Sequence, residues 1–345
     1  MKIQHLTGRS KIIFIILMLM VSLIHAQKVK KVGTSAAAFL KIPAGTRATA
    51  MGNAFVGVAN DPSTVIWNVG GLTNIDKTTI YAEHTNWLVD LKYDFITAII
   101  PFGNAGTAAV YVVTLGTPEM QVTTVDNPEG LPQTFDARST ALGVSFARKL
   151  MTEFSIGGTF KYINERIFNS SASGIAFDLG TIYTTPFWGV KLGVGISNFG
   201  SKLRIMGEDL NRYIDIAPNQ NGTNKTIVSQ LKTDEFDLPL TMRLGLSWDK
   251  QINDDTKLTL AVDGVNPNDN SQSVNTGFEL SLFRDRVKLM AGLNDLFLEE
   301  KEYKFSWGFL LNIREFSNVM MNFGYSYQEF EHLGSTNRFA FSFTF

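Results

Sequence analysis

The chain has 345 residues, 31 basic and 32 acidic side chains, a formal net charge of −1 and no cysteine. Near-neutral charge argues against nucleic-acid binding, which wants a basic surface. Without thiols there can be no disulfide, no lipoprotein anchor and no cysteine nucleophile, so stability must come from packing and backbone pairing.

At the N-terminus, Lys2, Arg9 and Lys11 precede an uncharged apolar run over 12–23, and Ile24-His25-Ala26 follows. This is the layout of a secretory signal peptide, residues 1–26, with cleavage expected near Ala26. The run is short for a span of about 20 residues, and no later run reaches the roughly 18 that a membrane helix needs. The exported chain is therefore soluble or a membrane barrel.

Residues 27–76 form the next unit. Gly45, Gly52, Gly57, Gly70 and Gly71 permit close backbone packing, while Phe39, Leu40, Met51, Phe55, Val65 and Trp67 need a surface to bury against. The segment reads as a hatch folded into a barrel from the periplasmic side. From residue 78 onward, fourteen stretches alternate with period two: 78–85, 93–101, 106–115, 138–149, 154–164, 173–184, 190–197, 239–248, 258–265, 273–283, 287–293, 303–313, 319–327 and 336–345. Each is close to the length of a tilted membrane strand, and an even number puts both ends on one side. The connections alternate long and short, as 86–92 then 102–105, 116–137 then 150–153, 165–172 then 185–189, and 198–238 then 249–257, which is the asymmetry of outer-membrane barrels. Residues 77–345 are thus expected to be an all-β, antiparallel transmembrane barrel of about 14 strands.

Opposite the oily faces sit Lys161, Asp178, Lys191, Arg243, Asp263, Glu279, Lys288 and Asn322. Charges of both signs can pair with one another or with a plug, which favours a filled lumen over a single-sign pore. The last strand carries Phe339, Phe341, Phe343 and Phe345 on one face and Arg338, Ala340, Ser342 and Thr344 on the other.

Catalysis is poorly supported, and no cofactor or metal is expected. Beyond the signal peptide only His84 and His332 remain, near the outer ends of strands that should be neighbours at barrel closure. Asp263, Asn266, Asn268, Asp269 and Asn270 offer oxygen ligands without the regular spacing of a calcium loop. Gly193-Val194-Gly195 lies inside a strand and reads as a bend or bulge, not a nucleotide fingerprint. The long 198–238 connection is the place expected for partner recognition.

The run Ala38-Phe39-Leu40-Lys41-Ile42-Pro43-Ala44-Gly45-Thr46-Arg47-Ala48-Thr49-Ala50-Met51-Gly52-Asn53-Ala54-Phe55, with Trp67-Asn68-Val69-Gly70-Gly71-Leu72 after it, resembles the opening of the PorV/PorQ family. Trp87-Leu88-Val89-Asp90, Gly158-Thr159-Phe160-Lys161-Tyr162, Ala176-Phe177-Asp178-Leu179-Gly180, Ser197-Asn198-Phe199-Gly200 and Asn266-Pro267-Asn268 carry the resemblance along the mature chain. It implies a FadL-like barrel of fourteen strands in the outer membrane, with a hatch motif at Arg47, Met51, Gly52, Trp67, Asn68 and Gly71. Val69 and Gly70 stand where the family motif has Pro-Ala. It also implies association with type IX secretion, with secreted cargo or attachment proteins as partners. Terminal Phe345 resembles the C-terminal aromatic by which such barrels are recognised for insertion. Two functions stay open: a non-enzymatic, protein-binding barrel of the secretion type, or a FadL-like channel for hydrophobic small molecules such as long-chain fatty acids.

Overall fold

The computed structural model describes residues 32–215, 219, 227–314 and 319–345, and the expected signal peptide lies outside them. Fourteen antiparallel strands close on themselves: β1 (Thr79–Asn86), β2 (Lys92–Pro101), β3 (Thr107–Gly116), β4 (Ala137–Lys149), β5 (Phe154–Ile167), β6 (Ser170–Thr184), β7 (Lys191–Gly200), β8 (Thr241–Asn253), β9 (Thr256–Pro267), β10 (Ser273–Leu282), β11 (Val287–Leu296), β12 (Tyr303–Arg314), β13 (Met320–Phe330) and β14 (Ser335–Thr344). Closure is the β1–β14 pairing, which runs in register from Thr79 opposite Thr344 to Asn86 opposite Asn337. A closed sheet leaves no unpaired edge, the condition for strands to cross a bilayer.

Alternation decides the two faces. Leu142, Phe160, Leu244, Val262, Phe278 and Phe341 point outward and are exposed, while Ser145, Thr159, Ser247 and Thr259 point inward and are buried. The outer face of β12–β14 is a panel of rings, with Phe309 on Phe323, Phe323 on Phe341 and Tyr325 on Phe339 at centroid separations of 6.1, 5.1 and 5.3 Å. Cross-strand pairs of this kind contribute about 0.2–1 kcal/mol each and reinforce the register at closure.

Loop parity proves weaker than the sequence suggests. The expected long connection over 165–172 is a two-residue turn, because β5 runs to Ile167 and β6 starts at Ser170, with Phe168 at φ 52. Here the side chains turn polar on both faces, so the hydropathy signal fades while strand pairing continues. The expected 249–257 connection likewise shrinks to the turn between Asn253 and Thr256. Only the connections over 117–136 and 201–240 are long, and both lie at the end opposite the chain terminus, which identifies it as the outer mouth.

The hatch enters from that outer mouth, not from the periplasmic side. The Ala36 N–H donates to Asp237 O (2.9 Å), the Ala37 N–H donates to the Glu165 carboxylate (3.0 Å), and Ser35 and Lys41 both reach Asp269. Further on, the segment descends through two short helices, α1 (Thr46–Ala50) and α2 (Thr64–Trp67), and a 3₁₀ turn at Val69–Asn74 before β1 begins at the opposite end. All five residues of α1 are buried, since barrel wall surrounds the helix and leaves it no wet face.

Candidate functional site

The hatch meets the wall at matched groups. Arg47 makes a two-pronged ion pair with Glu279, which also accepts from Lys288 Nζ at 3.2 Å. Burial works against the Arg47 charge, and the Glu279 carboxylate more than offsets that, so its pKa is raised. Asp263 accepts both the Phe55 and Val56 N–H groups at 2.8 Å. Asn68 donates to Val56 O and Thr181 O, each at 2.9 Å, and so ties the hatch to itself and to β6. The Trp67 indole N–H donates to Ala44 O (2.7 Å), and the Arg243 guanidinium lies 5.4 Å over its ring. Gly52 donates its N–H to Ser306 Oγ (3.1 Å) on β12.

Inward glycines make this fit achievable. A Cβ on Gly277 would stand 2.5 Å from Met51 O, one on Gly245 2.6 Å from Gly57 N, and one on Gly308 2.7 Å from Ala50 Cβ. Gly193 and Gly195 belong to the same set, facing Val56 and Trp67. Their pairing with β8 is regular, so they mark close approach of the hatch and not the expected bend or bulge. Gly70, in the position where the resembled motif has Ala, would bring a Cβ within 2.9 Å of Gly180 O. Gly71 is equally confined, by Ala59 and Thr64 inside the hatch.

Between the hatch and the wall is a small pocket of ≈ 40 Å³, apolar on the side of the hatch residues Leu40, Ile42 and Ile66, polar on the side of the wall residues Lys161 and Arg243. Lys161 is neutralised by Asp178 at 2.8 Å, and Asn198 binds both. Arg243 donates to Ser197 Oγ (3.1 Å) and has no ion-pair partner among the described residues. The Tyr111 hydroxyl, also lining this pocket, is buried with no hydrogen-bond partner among them.

One seam of the wall is incomplete. Pairing between β11 and β12 stops at Gly292 opposite Ser306, so residues 293–296 and 303–305 have no partners across this seam. A register shift between Val274 and Thr276 loosens the β10–β11 edge beside it. On the lipid side lies a cleft of ≈ 400 Å³ lined by Phe278, Ala291, Leu293, Phe305 and Trp307, and the hatch residues Met51 and Gly52 stand directly behind it.

Other expected residues fall elsewhere. Lys191 pairs with Asp249 (2.9 Å) near the lower rim, and Asn322 donates to Ser342 Oγ (2.8 Å). His84 and His332 are not brought together: His84 faces outward beside Asp94 (2.7 Å) and His332 pairs with Glu302 (3.4 Å). The oxygen-rich set near 263–270 is split, with Asp263 spent on the hatch and Asp269 on Lys41 (2.7 Å). Phe345 projects outward and its N–H donates to Thr78 O (2.9 Å). Sequence reasoning missed Glu83, which accepts from Gly45 N (3.0 Å) and Tyr81 Oη (2.6 Å), and it missed Ser306. Their inward parity was readable, but nothing in the sequence names their partners.

No family model matches the chain, and no curated protein matches it. Solved structures do. The Pseudomonas putida toluene transporter TodX matches with a TM-score of 0.55 at 11% identity, covering 87% of this chain and 97% of that one. The CymD monoaromatic hydrocarbon channel matches at 0.53 and 12%, covering 88% and 97%. The Ralstonia pickettii toluene transporter TbuX matches at 0.50 and 10%, covering 87% and 97%. The closed barrel of fourteen antiparallel strands is thus that of the FadL-type outer-membrane fold.

Proposed function

We propose that the protein is a FadL-type outer-membrane channel, not an enzyme, that takes small hydrophobic molecules from the outer mouth and releases them sideways into the bilayer. The observation that carries this reading is the incomplete β11–β12 seam, with an apolar cleft on its lipid side and Met51-Gly52 behind it. Withdrawing those hatch residues would join lumen to lipid without exposing the ligand to water. The pocket between hatch and wall, at ≈ 40 Å³ too small for a ring until the hatch shifts, is the receiving site once widened, its apolar side for the ligand body and its Arg243–Tyr111 side for any polar group. The structural neighbours, toluene transporters and a hydrocarbon channel, support it. They lend nothing to a type IX secretion role.

A second reading, a barrel that holds secreted or attachment proteins, draws on the outer hairpin Asn211–Ile214 and Ile227–Gln230, where Tyr213 and Val228 are 76% and 58% exposed. One experiment separates them. Gly324 lies against the hatch, and a Cβ there would be 3.4 Å from Thr46 Cβ, near the roughly 3.5–4.5 Å of a disulfide. The double variant Thr46→Cys, Gly324→Cys in this cysteine-free chain should take up labelled toluene in proteoliposomes when reduced and lose that uptake when oxidised. Absence of uptake in the wild type and in both redox forms overturns the channel reading.

A further inference from the structure

The inward face of β14 holds a second buried polar cluster, separate from the pocket and its hatch contacts. Arg338 is fully buried, with its guanidinium 5.4 Å over the Trp87 ring. One nitrogen, Nη1, donates to Gln328 Oε1 (3.2 Å); Nε and Nη2 have no hydrogen-bond partner among the described residues. The nearest carboxylate, Glu83, is 4.0 Å from Nε and already accepts from Gly45 and Tyr81.

Register surrounds this guanidinium with further orphans. Arg338 sits opposite Thr85 on β1 and Ser326 on β13, and Gln328 opposite Thr336 forms the next row toward the outer mouth. The hydroxyls of Thr85, Ser326 and Thr336 and the amide nitrogen of Gln328 are all buried without partners among the described residues. Directly opposed side chains are neighbours at about 5 Å, so these groups cluster on one stretch of the inner wall. Above it, Phe330 packs edge-on against Trp87 (5.7 Å) and at a tilt against Tyr303 (4.9 Å).

Buried polar atoms without partners call for a missing one, and this set is rich in donors. A guanidinium with two free N–H directions presents the fork that matches two oxygens of an oxyanion, and hydroxyls complete such a shell. We propose that Arg338, with Thr85, Ser326, Gln328 and Thr336, forms an enclosed binding site for a small oxyanion of the carboxylate or phosphate class. The Trp87, Phe330 and Tyr303 rings cover the cluster, which favours a free small anion over the acidic head of a long-tailed molecule. The site does not depend on the channel reading.

The test uses full-length mature protein in detergent. Its thermal midpoint is followed while acetate, phosphate or a long-tailed carboxylate is added in separate titrations at an ionic strength held constant with a bulky sulfonate. The wild type should show a saturable rise that is absent in Arg338→Gln and at least several-fold weaker in Thr336→Val. Thr336→Val retains the guanidinium, so it reports even where Arg338→Gln does not fold. No saturable rise in the wild type, an equal rise in Arg338→Gln, or an undiminished rise in Thr336→Val overturns the proposal. So does a rise produced only by long-tailed carboxylates, which would make the cluster a head-group site for transported ligand.

Discussion

Replacing Gly277 by alanine is the most direct probe of how tightly the hatch seals. The new methyl would stand 2.5 Å from Met51 O, 3.0 Å from Met51 Cβ and 3.3 Å from Met51 C, a row of hatch atoms that includes backbone. Ordinary contact needs about 3.5 Å or more, so the hatch must retreat by about 1 Å or the wall must bulge. Overpacking of this kind costs about 1–3 kcal/mol, which at about 1.4 kcal/mol per tenfold weakens docking of this part of the hatch by about 5- to 150-fold. Because Met51 and Gly52 back the open β11–β12 seam, the loss falls where the proposed exit lies. Planar-bilayer recordings should show more frequent opening than in wild type, and limited proteolysis should cut the 46–57 region faster. Gly158→Ala and Gly264→Ala are the controls, since their outward-facing Cβ atoms would meet nothing nearer than 3.6 and 3.9 Å. Wild-type conductance and proteolysis in Gly277→Ala would refute the idea that backbone contact holds this seal.

Glu279→Gln leaves buried Arg47 with only the longer Asp61 contact (4.0 Å) as a charged partner, and breaking a buried pair costs about 3–5 kcal/mol; proteolysis of the mature protein in detergent should release the hatch while the barrel keeps its heat-modifiable migration. Asp263→Leu strands the Phe55 and Val56 N–H groups, at about 1–3 kcal/mol each; hydrogen exchange at these two amides should speed up more than at Ala59. Phe345→Ser is expected to lower the yield of membrane-assembled barrel several-fold, read by heat-modifiability, while detergent-refolded protein keeps wild-type stability because the ring points away from the lumen.

Much of the barrel was legible because strand alternation is local. The oily and polar faces of β14, from Arg338 to Phe345, follow from period two alone, and so does the inward placement of Lys161, Asp178, Glu279 and Lys288. Bilayer thickness then bounds the length of each oily stretch, which is how fourteen strands could be counted. Where β5 and β6 pass beyond the oily belt toward their turn at Phe168, the hydropathy cue ends before the strands do. Hydropathy reports the solvent around a strand, not the hydrogen bonds within it.

Everything that makes the lumen specific required the closed structure. Arg47 and Glu279 are both polar residues in the right places, yet their meeting depends on how far α1 descends before the chain turns. Glycines in β7 and β10 look like weak points in isolated strands, and become the surface against which Val56 and Met51 rest. The direction of the hatch, the unpaired seam beside Ser306 and the row joining Thr85, Arg338 and Ser326 all depend on register and closure. No local pattern carries these relations: alternation says which side of the wall a residue faces, and only closure of the barrel says what it faces there.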